Sequence, residues 1–392
     1  MIGISKLYCG TVEASDPLRY GRASKELPSH LLQFSEDKKP VVVWNVTSAC
    51  NLACVHCYAS AGRTRTQKEL SLRQGFELIE DLAGYGSPVI LFSGGEPLLR
   101  KDLPELIEKA VKLKIRAVIS TNGTLITQDL AMELSDFGLS YIGVSLDGIG
   151  EVNDSFRGVP GSFKAAMKGI YNAMHEGIKV GLRFTMNKRN VSEIPRILDL
   201  MKAEGIPRIC FYHLVYTGRA RELMEEDLSH EETRQTLDLI MDRTKEMIDA
   251  GRNIEVLTVD NHADGPYVYL RMKAQGNPRA HDVLELLKMN GGNSSGLGIG
   301  CINWDGEVYP DQFWRHQVLG NINERRFSEI WEDKSNELLM KLKSKKDHVT
   351  GRCRSCRWLS VCAGNFRARA EAATGNPWGV DPACYLSDEE IS

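Results

Sequence analysis

The chain has 392 residues, a formal net charge of −3, 42% hydrophobic and 26% charged residues, the make-up of a folded globular protein rather than a fibrous or disordered one. So small a net charge removes the electrostatic reason to expect nucleic acid or an anionic membrane as partner. No apolar run approaches the ~20 residues that cross a bilayer, and Met1 to Gly21 has no continuous apolar stretch after a basic start, so the sequence predicts a cytoplasmic protein without an export signal.

Residues 1–40 read as an irregular lead-in with one helical stretch. Val41-Val42-Val43-Trp44-Asn45-Val46 is an apolar run of strand type, and Leu70 to Leu82 has helical spacing. Pro88 to Phe92 is a second short strand. Asp102, with Pro104 in the first turn, opens a helix carrying Leu103, Leu106, Ile107, Ala110 and Val111 on one face. Alternation continues with strands over Arg116 to Ser120, Tyr141 to Leu146, Val180 to Thr185 and Arg208 to Leu214. Helices are expected over Leu125 to Phe137, Ser162 to Met174 and Val191 to Ala203. Short, nearly all-apolar strands alternating with helices predict an α/β protein with a parallel sheet covered on both faces; a partial (β/α)6 TIM-type barrel over residues 41–250 is expected, though an open doubly wound sheet shows the same alternation. Its chemistry should lie at the carboxyl ends of the strands. Residues 251–300 read as a connecting segment, and 301–392 as a small cysteine-bearing module.

Ten cysteines are many for a cytosolic chain, and their spacing points to metal rather than disulfides. Cys50-x-x-x-Cys54-x-x-Cys57 follows the first strand. Three thiolates can hold three irons of a 4Fe–4S cube, leaving the fourth open to an outside chelator. Tetrahedral zinc normally takes four ligands, and His56, between two thiols, suits packing or hydrogen bonding better than ligation. Cys353-x-x-Cys356-x5-Cys362 and Cys384 form a four-thiol set, enough to saturate a second cube, with zinc the alternative. Cys9 and Cys210 read as packing cysteines.

The three-thiol motif with Tyr58 after it, at the end of the first strand, resembles the signature of the radical S-adenosylmethionine (SAM) superfamily. That resemblance implies a cluster that SAM chelates, reductive cleavage to a 5′-deoxyadenosyl radical, and hydrogen abstraction from a substrate. It also assigns roles along the barrel. Gly94, Gly95 and Glu96 of Ser93-Gly94-Gly95-Glu96-Pro97 match the element that meets the SAM amino group. Ser120, Asn122, Ser145 and Asp147, at the third and fourth strand ends, match positions used for ribose and carboxylate. Arg157 matches an arginine near the SAM carboxylate, and Leu182 to Met186 the adenine wall. The four-thiol set resembles the auxiliary-cluster ligands of SPASM modules. Cys301 matches a further SPASM cysteine, but Asp311 stands where the next is expected, so two clusters in total are predicted, with Cys301 a buried free thiol or a weak candidate ligand.

The segments Lys39–Thr47, Cys54–Ala59, Cys362–Ala372 and Asp381–Leu386 resemble the radical SAM enzymes of the siroheme-dependent haem pathway and of haem d1 synthesis. Within that group the resemblance is strongest to enzymes that remove the two acetate side chains of didecarboxysiroheme. Propionate removal, decarboxylation of propionates to vinyls, and peptide maturation are the alternatives. It implies an iron-tetrapyrrole substrate and an electron donor such as a ferredoxin or flavodoxin. A polycarboxylate substrate calls for arginine forks. Arg219, Arg221, Arg315, Arg367 and Arg369 are the candidates, with His213 and His316 for the substrate or its iron.

Overall fold

The computed structural model describes residues 1–12, Asp16, Arg19 and 39–392. Within the lead-in, the described residues include one helical turn, Ser5–Cys9. Among the described residues eleven strands form one sheet: β1 (Ile2–Gly3), β2 (Val41–Thr47), β3 (Val89–Gly94), β4 (Arg116–Thr121), β5 (Tyr141–Ser145), β6 (Val180–Met186), β7 (Arg208–His213), β8 (Glu255–Val259), β9 (Ile299–Ile302), β10 (Glu307–Tyr309) and β11 (Gly320–Asn321). Their order is β1-β8-β7-β6-β5-β4-β3-β2-β9-β10-β11. All pairs from β9 through β2 to β8 are parallel, while β1, β10 and β11 pair antiparallel at the two ends. The six expected strands are therefore present, and the parallel run is longer by two. β8 adds beside β7 out of the segment read as a connector, and β9 adds beside β2.

Helices α1 (Leu72–Tyr85), α2 (Leu103–Lys112), α3 (Gln128–Asp136), α4 (Glu151–Arg157), α5 (Ser162–His175), α6 (Ile194–Glu204), α7 (His230–Asp249), α8 (Asp264–Ala274) and α9 (Ala280–Asn290) follow in chain order. Ser71 and Gln74 close a capping box at α1, as Ser229 and Glu232 do at α7. Asp102 makes no cap hydrogen bond. Its carboxylate instead takes Arg100 at 2.9 and 3.0 Å, a charged partner outcompeting a backbone N–H. Among the described residues no helix is long and apolar enough to cross a membrane.

Alternation along each strand separates core from site. On β6, Val180, Leu182, Phe184 and Met186 pack in the main core, while Arg183 and Thr185 face the barrel interior. The inner face holds smaller apolar clusters that include Cys210, with Leu257 and Val259, and Cys301, with Val43 and Tyr309. Beyond β11 come α10 (Phe327–Trp331), α11 (Glu337–Lys343), α12 (Leu359–Cys362), α13 (Arg367–Thr374) and α14 (Asp388–Ile391). Asn293, in a glycosylation-like triplet, is buried and accepts from Lys345 at 3.0 Å and the Ser295 N–H at 3.2 Å.

Candidate active site and auxiliary centre

The loop after β2 is held from three sides. From the barrel, Ala53 N–H donates to Arg157 O (3.0 Å) and Val55 N–H to Phe156 O (3.1 Å). From the segment after β7, Arg219 donates to Cys54 O (2.8 Å) and Ala61 O (3.1 Å). From the C-terminal module, Arg315 donates to Ala59 O at 2.6 Å. The turn after β3 presses on the same loop. A Cβ on Gly95 would lie 2.0 Å from Ala49 O, so only glycine fits that close approach.

Cys50, Cys54 and Cys57 consequently line one cavity of about 1030 Å³, open mouth included, at the carboxyl ends of the strands. Tyr58, Gly94, Gly95, Ser120, Asn122, Ser145 and Arg157 line it with them. Tyr58 donates to Asn45 Oδ1 (2.9 Å) and lies 3.1 Å from Ser93 Oγ. Asn122 donates to Asn51 Oδ1 at 2.8 Å. Two sequence-assigned residues lie behind this lining. Glu96 is fully buried and accepts from Thr121 Oγ1 (2.6 Å), Asn122 N–H (2.8 Å) and Leu98 N–H (3.1 Å). Burial pushes it up to about 7 despite those bonds. Asp147 is also fully buried, accepts from Thr185 N–H at 2.7 Å and pairs with Arg157. His56 Nε2 stands 3.5 Å from it, and burial lowers that imidazole to about 4. Glu96 and Asp147 thus brace Asn122 and Arg157, which reach the cavity themselves.

Of the arginines named from sequence as substrate forks, four are corrected: Arg219, Arg315, Arg367 and Arg369. Arg367 and Arg369 are fully buried. Arg367 donates to the carbonyls of Pro377 (3.0 Å) and Gly379 (2.6 Å). Arg369 grips Asp381 at 2.8 and 2.9 Å and donates to Leu214 O (3.0 Å) and Asp260 O (2.8 Å). Arg219 and Arg315 tie down the cysteine loop, and Arg221 is exposed. His316 is exposed and paired with Glu371 at 2.7 Å. All but Arg221 are drawn off by a nearby carbonyl or carboxylate, which a residue list does not reveal. The interior supplies others instead: Arg183, stacked 4.9 Å from the Tyr212 ring centre, with Thr121, Thr185, Asp260, Gln312 and Phe313. Arg183 and Thr185 were signalled by polar residues on the inward phase of an otherwise apolar strand. Asp260 was hidden because β8 was read as connector.

Cys353, Cys356, Cys362 and Cys384 line a second cavity of about 410 Å³, open mouth included, with Ala263, Trp358, Leu359, Leu386 and Ile391 among its walls. Cys301 accepts from Asn45 Nδ2 at 3.5 Å inside its apolar cluster, and Asp311 accepts from the N–H groups of Phe313 (2.8 Å) and Trp314 (3.1 Å). All ten cysteines are free. Among the described residues no three His, Cys, Asp or Glu side chains converge tightly enough for a single ion. Burial pushes the Cys50 and Cys362 thiols up to about 12, so thiolates there need a metal's charge beside them. Free thiols spread around two cavities fit two cubes.

Residues 44–201 match the radical SAM superfamily and residues 298–357 the SPASM iron–sulfur cluster-binding domain. A protein of Methanosarcina barkeri (strain Fusaro / DSM 804) named Fe-coproporphyrin III synthase is 62% identical over 394 residues, covering 100% of this chain and 99% of that one. The chain belongs to the radical SAM superfamily. A pre-heme d1 synthase of Dinoroseobacter shibae (strain DSM 16493 / NCIMB 14021 / DFL 12) is 40% identical over 90% of this radical SAM chain and 87% of its own length. In fold it is similar to native anSMEcpe with bound AdoMet, at a TM-score of 0.68 and 19% identity, covering 90% of this chain and 95% of that one. The protein is a radical SAM enzyme with one SAM-binding and one auxiliary 4Fe–4S cluster.

Proposed function

We propose that this enzyme removes the two acetate side chains of didecarboxysiroheme, leaving methyl groups and giving Fe-coproporphyrin III. The observation that carries this reading is the 62% identity, end to end, to the Methanosarcina barkeri protein named Fe-coproporphyrin III synthase. Cys50, Cys54 and Cys57 would hold the SAM-binding cluster, and Cys353, Cys356, Cys362 and Cys384 the auxiliary one. When bound, SAM and its cluster supply the hydrogen-abstracting radical.

The chain's own residues would orient and shield. Arg157, fixed by Asp147, and Ser120, Asn122 and Ser145 offer charge and hydrogen bonds to SAM at the cysteine end of the cavity. Gly94 and Gly95 let it approach the backbone. Arg183 is a cation facing the cavity that forms no ion pair among the described residues, suited to a carboxylate. Tyr58 anchors the cysteine loop to β2 and β3. The reading includes a cytoplasmic site of action and a ferredoxin- or flavodoxin-type donor, with neither nucleic acid nor membrane as partner.

The test is anaerobic incubation of the reconstituted enzyme with SAM, a reductant and didecarboxysiroheme, followed by mass spectrometry of the porphyrin. Loss of two acetates supports the reading. Loss of propionates, decarboxylation to vinyls, or turnover of a peptide alone contradicts it.

A further inference from the structure

One histidine in the cavity has the setting of a metal ligand and no part in the site described so far. His213 ends β7 and lines the cavity with Tyr212, Leu214 and Val215. Its Nε2 lies 2.9 Å from Oδ2 of Asp264, at the start of α8. Asp264 is fully buried, and its Oδ1 accepts from the Tyr385 hydroxyl at 2.8 Å. A carboxylate oxygen accepts, so Nε2 donates to Asp264 and Nδ1 is the ring nitrogen left for another partner. Nδ1 makes no hydrogen bond among the described residues and is not sealed from the cavity its side chain lines.

The other imidazole lining the cavity is His56. It sits inside the cysteine loop, its Nδ1 buried and its ring 4.6 Å from that of Phe156. A histidine whose second nitrogen donates to a buried carboxylate is the usual supported metal ligand, with ring and tautomer fixed and basicity raised. An iron tetrapyrrole carries such a metal at its centre.

We propose that His213, through Nδ1, is an axial ligand to the iron of the tetrapyrrole substrate, with Asp264 and Tyr385 as its supports. This rests on the tetrapyrrole reading above. Iron ligation pins the macrocycle at its centre and so limits which side chains reach the reacting end of the cavity. Tyr385 directly follows Cys384, so the support of the ligand is continuous with the loop of the auxiliary centre.

The experiment titrates anaerobically reconstituted enzyme with ferric Fe-coproporphyrin III and records optical and EPR spectra. The unmodified enzyme should give an imidazole-ligated iron. His213→Ala, its fold checked by circular dichroism, should shift both spectra and bind about tenfold or more weakly. Added imidazole should restore the lost ligation. Asp264→Asn should keep a nitrogen ligand but weaken binding by about tenfold. Identical spectra and affinities for unmodified and His213→Ala enzyme, or a spectral change that imidazole does not reverse, overturn the assignment. Failure of the unmodified enzyme to bind any iron tetrapyrrole would bring down the functional reading itself.

Discussion

The two thiol-lined cavities differ in number, reach and lining. The first gathers three thiols from one short loop, and beside them stand serines, threonine, asparagine, arginines and tyrosine on successive strand ends. The second gathers four thiols, one of them a long way along the chain, among mostly apolar walls. The first site is built to hold more than a cluster, and the second to hold a cluster and little else. A loop clamped by Arg157 O, Arg219 and Arg315 keeps its geometry while leaving a side open. Four thiols among mostly apolar walls can saturate a cube, leaving no iron corner for a further ligand.

Four substitutions probe that contrast. The largest effect is expected from Cys54→Ala, which should abolish formation of 5′-deoxyadenosine and lower iron from about eight to about four per chain. Chromatography of SAM products and iron analysis read both. Cys356→Ala should do the reverse, leaving SAM cleavage intact while porphyrin turnover is lost. Unchanged porphyrin turnover in that variant would remove the auxiliary centre from the reaction. Arg369→Ala strips the partner from buried Asp381 and frees Leu214 O and Asp260 O, which joins the module to the strand ends. A loss of about 3–5 kcal/mol in urea unfolding is expected.

Asp260→Asn is the smallest and is read against pH. Burial raises Asp260 to about 6, above its value in the unfolded chain. The folded state therefore holds that proton more tightly, and the favourable contribution present below about pH 4 is lost as pH rises through 6. Asn tolerates the positive φ of 67° and needs no ionisation. The variant should gain stability at pH 8, by at most about 3 kcal/mol, and less as pH falls toward 4. Melting temperatures across that range measure it, and equal gains at every pH would refute it.

How much of this was legible depended on whether the signal was local. The six strands and both cysteine sets could be read because strand periodicity and ligand spacing are short-range properties. Glu255–Val259 escaped because five residues beside a mixed segment carry little periodicity, and pairing with β7 is what makes them a strand. The glycines, Ser120, Asn122 and Ser145 reached the cavity as their strand-end positions implied, and Arg157 reaches it from the end of α4, whereas Glu96 and Asp147 turned inward to backbone donors. Arg367 and Arg369 were misread because a run of alternating arginines resembles a solvated anion site. Asp381 and the carbonyls of Gly379 and Leu214 that claim them come from distant segments.

The central claim is that the Cys50–Cys57 loop leaves one iron corner for SAM while the four-thiol set leaves none. EPR of the reduced enzyme, with and without SAM, tests it most directly in a Cys353→Ala/Cys356→Ala variant that keeps only the first cluster, alongside a Cys50→Ala/Cys54→Ala variant that keeps only the second. The account predicts that SAM shifts the signal of the former and leaves that of the latter unchanged. A first-cluster signal indifferent to SAM would contradict it.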